Sequence, residues 1–435
     1  MADIIPFRGT RYVPGKAGDV GRLISPPYDV IDANLREVLF HQSERNIARI
    51  IKADRGSDDA PYAEAANTWQ AWRREGVVAP DDRPAFYVYE QCFELHGRKF
   101  SRTGLIALVR LTSLGEGVLP HEFTLSGPRA DRLELLRATR TNFGQVFALY
   151  PDPENQVDQI LDEVKQDRPA GQTADRQQQL HRLWAISDPE RIERIQALMR
   201  DKRLLIADGH HRYETALAYR AENPDWPPAQ YRMMDLVNTA NVGLVVLPTH
   251  RLVKNVADFD PETFLAALRK YFDVRAYPGD SHAVRSAVVE AIETRQRQGR
   301  HAFALCLGDG RHYELLLRDA SAMDDVTDRS DAWKQLDVTI LHHVILERIL
   351  GITAEQIQAQ THIEYIQDFD HAIRAAAERV HGGQAQALFL INPTRIDDVL
   401  AVAENGERMP QKSTFFYPKV YTGLVFNCLD DSTES

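Results

Sequence analysis

Five consecutive residues, Asp208-Gly209-His210-His211-Arg212, follow directly on the apolar run Leu204-Leu205-Ile206-Ala207. A strand that stops at an acid and a glycine, with a helix starting within two residues, suits an anionic ligand. Glycine accepts a left-handed φ and lets bare backbone come close to a bound group. The helix start offers N–H groups without intrahelical partners and the positive end of the helix dipole. Arg212 adds a planar fork matched to phosphate oxygens, and the histidines add donors. Each charge-assisted hydrogen bond contributes on the order of 1.5–3 kcal/mol, so a handful would hold a diphosphate. The same residues also fit a tight turn with an aspartate cap and side chains bonded at the surface, and both readings stay open at this level.

Three further segments carry reactive side chains. Leu119-Pro120-His121-Glu122 presents an imidazole and a carboxylate behind a stiffening proline. A carboxylate there can deprotonate a hydroxyl, a step in which general-base catalysis contributes typically about 10²–10⁴-fold. It can equally cap a helix or join a salt bridge. Met409 to Lys419 combines Lys412 and Lys419 with Ser413, Thr414 and interleaved aromatics. That set suits a phosphate clamp, because lysine is a mobile point charge, or a loop that packs its aromatics on the domain. Leu247-Pro248-Thr249-His250-Arg251 closes a strand and can line a pocket, although a structural strand end explains the spacing as well. The usual nucleotide signatures, GxxxxGK[ST] and GxGxxG, are missing, as is HExxH. His342 and His343 are neighbours on an expected helix and point apart.

The elements that must position these residues alternate between helix and strand. Helices are expected over 32–42, 62–75, 129–143, 188–200, 210–221, 261–270 and 282–298. Phe86 to Leu95 and Phe100 to Leu111 read as a β-hairpin turning at His96-Gly97-Arg98-Lys99. Further strands are expected over 145–150, 204–207, 243–253 with a break at Pro248, 301–307 and 313–317. Val338, Leu341, Ile345 and Ile349 form a helical stripe for a core. Proline-rich segments around Pro6-Phe7-Arg8-Gly9 and Ser25-Pro26-Pro27-Tyr28-Asp29 read as shaped loops. Residues 166–179 read as an exposed linker, residues 319–331 as an acidic loop and residues 430–435 as a disordered tail.

At 435 residues the chain is long enough for two or three domains. Its 52 basic and 63 acidic side chains leave a formal charge of −11, which disfavours non-specific nucleic-acid binding. The three cysteines, Cys92, Cys306 and Cys428, form no CxxC pair, so neither a thiolate zinc knuckle nor a disulfide framework is expected. No apolar run approaches the ~20 residues that span a bilayer. With no signal peptide apparent at the start, a cytoplasmic location is expected.

Together, Pro6-Phe7-Arg8-Gly9, Ser25-Pro26-Pro27-Tyr28-Asp29, His121-Glu122, Ala207 to Tyr213, Pro248-Thr249-His250-Arg251 and Met409 to Thr414 identify the sequence as a member of the family called domain of unknown function 1015. More remotely it resembles the free serine kinases of the ParB/sulfiredoxin-like superfamily, which carry a Pro-His-Glu loop, an Asp-Gly-His-His-Arg turn and a Pro-Lys-Thr-Thr segment in that order. The resemblance implies an α/β fold of mixed sheets, with a ParB/sulfiredoxin-like nucleotide-binding core at 101–256. An N-terminal extension would occupy 1–100 and a closing α/β domain 257–435. It implies a kinase that moves phosphate from ATP or ADP, with Mg²⁺, to the hydroxyl of a serine-like metabolite. Glu122 would then be the base, with His121 beside it. Asp208, Gly209, His210, His211 and Arg212, with Lys412, Ser413 and Thr414, would hold the nucleotide, and Asp208 is a candidate magnesium ligand. The small kinases place an aromatic where this chain has His250 and Arg251, which suits them to an acidic substrate group. Nucleotide and small-molecule partners are thus expected, a membrane partner is not, and a homodimer is compatible. Two alternatives stand beside the kinase. One is a nucleotide-binding switch without small-molecule chemistry, and the other a metal-dependent hydrolase using His121, Glu122, His210 and His211.

Overall fold

The computed structural model describes residues 2–122, 126–279 and 281–433. They form a mixed α/β protein of two compact units that alternate along the chain. One gathers the described residues of 1–120, 124–245 and 418–435, and the other those of 121–123 and 246–417.

The first unit is built on a nine-stranded mixed sheet. Its strands are β1 (Ile4–Ile5), β2 (Phe86–Leu95), β3 (Arg98–Arg110), β4 (Val118–Leu119), β5 (Val146–Tyr150), β6 (Gly171–Ala174), β7 (Leu180–Ile186), β8 (Leu204–Asp208) and β9 (Tyr231–Asn238). The order is β4-β8-β5-β9-β3-β2-β7-β6, with β1 on β3. The β2–β3 hairpin forms where aromatic and β-branched residues flank His96-Gly97, both at positive φ. A cut at residue 100 falls inside β3.

Helices in this unit pack through apolar stripes. In α1 (Ala63–Arg74) Ala65, Trp69 and Trp72 are buried. In α3 (Gln156–Val164) Val157, Ile160, Leu161 and Val164 recur at helical spacing and are buried. Between them comes α2 (Ser126–Thr139), which ends before Phe143 because Arg140 takes a φ of 46° and the chain turns into a short strand, Thr141–Asn142. Asp188 caps α4 (Pro189–Met199), and Pro189 opens it. The main core joins Phe86, Val88, Leu105, Val146, Ala148, Leu204, Ile206, Met234 and Leu236 to helix residues such as Ile160, Ile195 and Tyr213. A second cluster gathers Trp69, Trp72, Phe143 and Phe426.

Several expectations need correction here. The N-terminal segment is not all loop, since Ile4–Ile5 pairs with β3 and Thr10–Tyr12 pairs with Val78–Pro80. Residues 166–179 are not a free linker. Gly171–Ala174 is an edge strand on β7, and the Asp175 carboxylate accepts from the amides of Gln177 and Gln179 to shape the return. Polar composition hid this strand because only Thr173 of its four residues is buried. The tail is ordered as far as it is described, with a 3-10 turn over Leu429–Thr433 and an Arg73–Asp431 ion pair of 2.5 Å. The central strand β9 has no clean alternation in Tyr231-Arg232-Met233-Met234-Asp235-Leu236 and went unexpected.

The second unit carries a six-stranded, wholly antiparallel sheet. Its strands are β10 (Thr249–Val253), β11 (Phe272–Pro278), β12 (Ala302–Leu307), β13 (Arg311–Leu317), β14 (Ile363–Gln367) and β15 (Ala387–Leu390). They run in the order β11-β13-β12-β15-β10-β14. Alternate residues feed two cores. Val253 joins Phe264, Leu268, Leu341 and Ile345, while Leu252 joins Val288, Ile292, Ile373 and Val380. The stripe from Val338 begins in an α-turn and continues as a π-helix over Leu341–Ile349, which keeps Leu341, Val344 and Ile345 buried. Among the described residues no helix is long and apolar enough to cross a membrane.

Candidate functional site

In the first unit, β8 departs from regular pairing at its end. Ile206 faces Ala148 and Asp208 faces Phe147, so Ala207 is the extra residue of a bulge. Bulges re-aim side chains, and here the Asp208 carboxylate is the one re-aimed. Gly209 follows at a φ of 93° and caps α5 (His210–Glu222) with no side-chain hydrogen bond. Its missing side chain is required twice over. The φ is left-handed, and a Cβ would lie 2.8–3.0 Å from the Arg212 guanidinium. The glycine thus lets Arg212 fold back over the turn.

Arg212 donates to Asp208 Oδ2 at 2.5 Å and to the Gln145 carbonyl. Asp208 Oδ1 accepts from Lys419. Burial works against ionising Asp208, but Lys419 and then Arg212, with His210, outweigh it and hold the carboxyl well below the usual range. Asp208 is therefore a carboxylate bridging two cations. That donor set does not suit a magnesium ligand, since each oxygen already faces a cation. Among the described residues no three His, Cys, Asp or Glu side chains gather as a metal site.

A buried arginine and a buried aspartate lie inside the same sheet. Arg102 on β3 is 2% exposed, stands 4.7 Å from the centre of the Phe147 ring and donates to Gln91 and to the Pro418 carbonyl at 2.8 Å. Asp235 on β9 is 1% exposed, and its Oδ1 has no hydrogen-bond partner. Burial pushes the Asp235 carboxyl up to about 7 against the pull of Arg102. Gly104 makes the space, because a Cβ there would meet Asp235 Oδ1 at 2.1 Å.

The second unit holds the other expected residues. His121 and Glu122 lie beside Met409, whose amide donates to the His121 carbonyl at 2.8 Å. Lys412 is exposed and at a φ of 56°, so the next two amides converge. Glu122 Oε1 accepts from Ser413 N at 3.1 Å and from the amide and hydroxyl of Thr414 at 3.4 Å. His121 Nε2 lies 2.9 Å from the same hydroxyl. The loop expected to bind phosphate thus forms an anion-holding concavity, and Glu122 is the anion in it.

Arg251 is fully buried and braces that loop. It donates to the Lys412 carbonyl at 3.1 Å, to His342 Nε2 at 3.2 Å and to the Thr249 carbonyl, with the Tyr365 ring 4.6 Å away. Burial lowers its pKa to about 10, while Tyr365 and Glu122 pull the other way. Burial, and then Arg251, depresses His342 well below the imidazole range, so its ring is neutral and can accept. His250 Nδ1 accepts from the Ile391 amide, which leaves Nε2–H to face Asp368 at 3.2 Å. Both side chains expected at a substrate are engaged in tying the second unit together.

Sequence reasoning passed over Lys419 as a partner of Asp208, and it missed Arg102, Arg232 and Asp235 altogether. A signal was present in β9, where Arg232 and Asp235 interrupt an otherwise apolar strand. Buried charges of this kind are placed for pairing or for ligands, not for stability.

The fold and these clusters define a mixed α/β protein with an acid-glycine-helix turn flanked by buried cations. The chain belongs to the family described as a protein of unknown function, DUF1015, whose model matches residues 4–339. No curated protein matches the sequence. Similar solved structures include a free serine kinase mutant in complex with ADP, at 10% identity and a TM-score of 0.36, covering 76% of this chain and 93% of that one. A conserved hypothetical protein from Pyrococcus furiosus is similar at 14% identity and a TM-score of 0.34, covering 76% and 97%. SbnI from Staphylococcus aureus, truncated at its C-terminus, is similar at 9% identity and a TM-score of 0.36, covering 76% and 90%.

Proposed function

We propose that the chain is a nucleotide-dependent phosphotransferase acting on a metabolite hydroxyl, with Asp208 to Arg212 as the phosphate-binding turn and Glu122 as the general base. The observation that carries this reading is the turn at Asp208. A helix begins after a left-handed glycine with no capping side chain, and Arg212 and Lys419 stand on the aspartate beside it. Such a start supplies amide donors and a positive dipole end to a phosphate. The two cations can exchange part of their contact with Asp208 for ligand oxygens.

The order Pro-His-Glu, Asp-Gly-His-His-Arg, Pro-Gln-Lys-Ser-Thr supports the same reading, as the sequence resemblance to the free serine kinases implies. In it ATP or ADP is the donor, His210 and His211 add donors to the phosphates, and Lys412, Ser413 and Thr414 are further nucleotide-binding residues. Arg251 positions the loop that carries these three through the Lys412 carbonyl, and His250 braces the neighbouring strand. Positioning and charge stabilisation would supply most of the rate, as in phosphoryl transfer generally. Magnesium would arrive with the nucleotide phosphates, and no step is assigned to it.

Glu122→Gln tests the proposal. Glutamine keeps the Oε1 acceptor for Ser413 and Thr414 but cannot take a proton. Nucleotide binding, measured by calorimetry, should persist while turnover with the matching hydroxyl substrate falls at least about a hundredfold. Unchanged turnover removes Glu122 from the mechanism.

A further inference from the structure

The Pro-Pro-Tyr segment near the start has so far had no role. In the first unit Ser25 and Thr422 exchange backbone hydrogen bonds at 3.0 and 2.8 Å, and Tyr28 and Thr422 stand on the wall of a small open pocket of about 70 Å³. Phe143, Arg212, Thr215 and Arg232 line it as well. Its lining combines the apolar Ile51, Leu135 and Phe143 with three guanidinium groups.

Charge is unbalanced there. Arg132, also on the wall, has Asp131 at 2.6 Å and lies 4.6 Å from the Tyr28 ring. Arg212 and Lys419 share the single carboxylate of Asp208. Arg232 has none. Among the described residues its side chain, 6% exposed, has one hydrogen bond, to the Gly144 carbonyl at 2.5 Å, and its Nε is buried without a partner. Of the three guanidinium groups on the wall, Arg132 pairs with Asp131 and Arg212 with Asp208, while Arg232 forms no ion pair among the described residues. Burying a charge without a counter-ion is costly unless something else compensates it. Burial and the nearby Arg212 push the Arg232 guanidinium down to about 9, which agrees with that imbalance.

We infer that this pocket binds the oxyanion of a small acid, a carboxylate or a phosphate, between Arg232 and Arg212, with the Thr215 and Thr422 hydroxyls as further donors. Its apolar lining, Phe143 included, takes the body of the ligand. The inference goes beyond phosphotransfer, because it concerns binding and holds whether or not a phosphoryl group moves.

Thermal unfolding of the full chain in chloride buffer, with inorganic phosphate or succinate added at matched ionic strength, tests it. A binding anion at about a hundred times its Kd should raise Tm by about 3 °C. Arg232→Met should unfold at a higher temperature than wild type without anion, and its Kd for the anion should rise at least about thirtyfold. A response to phosphate alone or to succinate alone supports the pocket and names the oxyanion. If Arg232→Met does not fold, Thr422→Val serves in its place, with the anion Kd expected to rise about tenfold. An equal response in wild type and variant, or no response to either anion, overturns the inference. Because turnover is not read, failure here leaves the Glu122 test standing.

Discussion

Asp235 offers a quantitative check on how the first unit is held together. Its carboxyl titrates at about 7 in the folded chain, against about 3.9 when the chain is unfolded. The native state therefore binds the proton more tightly. Stability is greatest when Asp235 is protonated and declines as pH rises from about 4 until it levels off above about 7. The gap of about three between the two pKa values corresponds to about 4 kcal/mol at pH 8, of which about 1.5 kcal/mol is already lost at pH 5. Asp235→Asn removes the titration. The amide can leave a donor unsatisfied at the position of the partnerless Oδ1, an offset of about 1–3 kcal/mol, but that offset does not vary with pH. Urea unfolding of both proteins at pH 5 and pH 8 isolates the effect. The variant should gain on wild type by about 2.5 kcal/mol between the two conditions. A difference between the proteins that is flat with pH would show that Asp235 is not the buried acid the geometry makes it.

Other perturbations follow from the same contacts. Gly209→Ala should cost about 1–2 kcal/mol from the left-handed φ alone, and more through the collision with Arg212, so chemical denaturation should show a loss and nucleotide affinity should fall with it. Lys419→Met should cost about 2 kcal/mol at neutral pH, the scale of a hydrogen bond to a charged group. The stability that ionised Asp208 contributes is present above about pH 4 and lost as pH falls through its depressed folded value. Without Lys419 that value rises, so the acid transition should begin at higher pH, which an acid titration followed by circular dichroism reads. Trp69→Ala empties a site enclosed by Trp72, Phe143 and Phe426 and should cost about 3–5 kcal/mol by urea unfolding.

Much of the local architecture is legible in the residues. The hairpin at His96-Gly97, the helix opened by Asp188-Pro189 and the strand-glycine-helix turn at Asp208 depend on φ preferences, capping and hydrophobic period within a few positions. The Asp208–Arg212 contact is less direct, since Asp208 ends a strand and reaches Arg212 through the bulge at Ala207 and the left-handed Gly209. Less legible were segments whose state depends on a distant neighbour. Gly171–Ala174 is a strand only because β7 offers it an edge, and Tyr231–Asn238 is central only because β3 and β5 flank it.

What the sequence determined by itself is the set of short-range geometries and the chemistry they bring: an anion-ready turn, a carboxylate behind a proline, a cationic closing loop. What only the tertiary structure decided is where the charges go. Lys419 reaches Asp208 across 211 positions, and Ser413 reaches Glu122 across 291. Arg232 is left in a pocket with no acid of its own. Coulomb and desolvation energies depend on distance in space and on burial, and sequence separation carries neither.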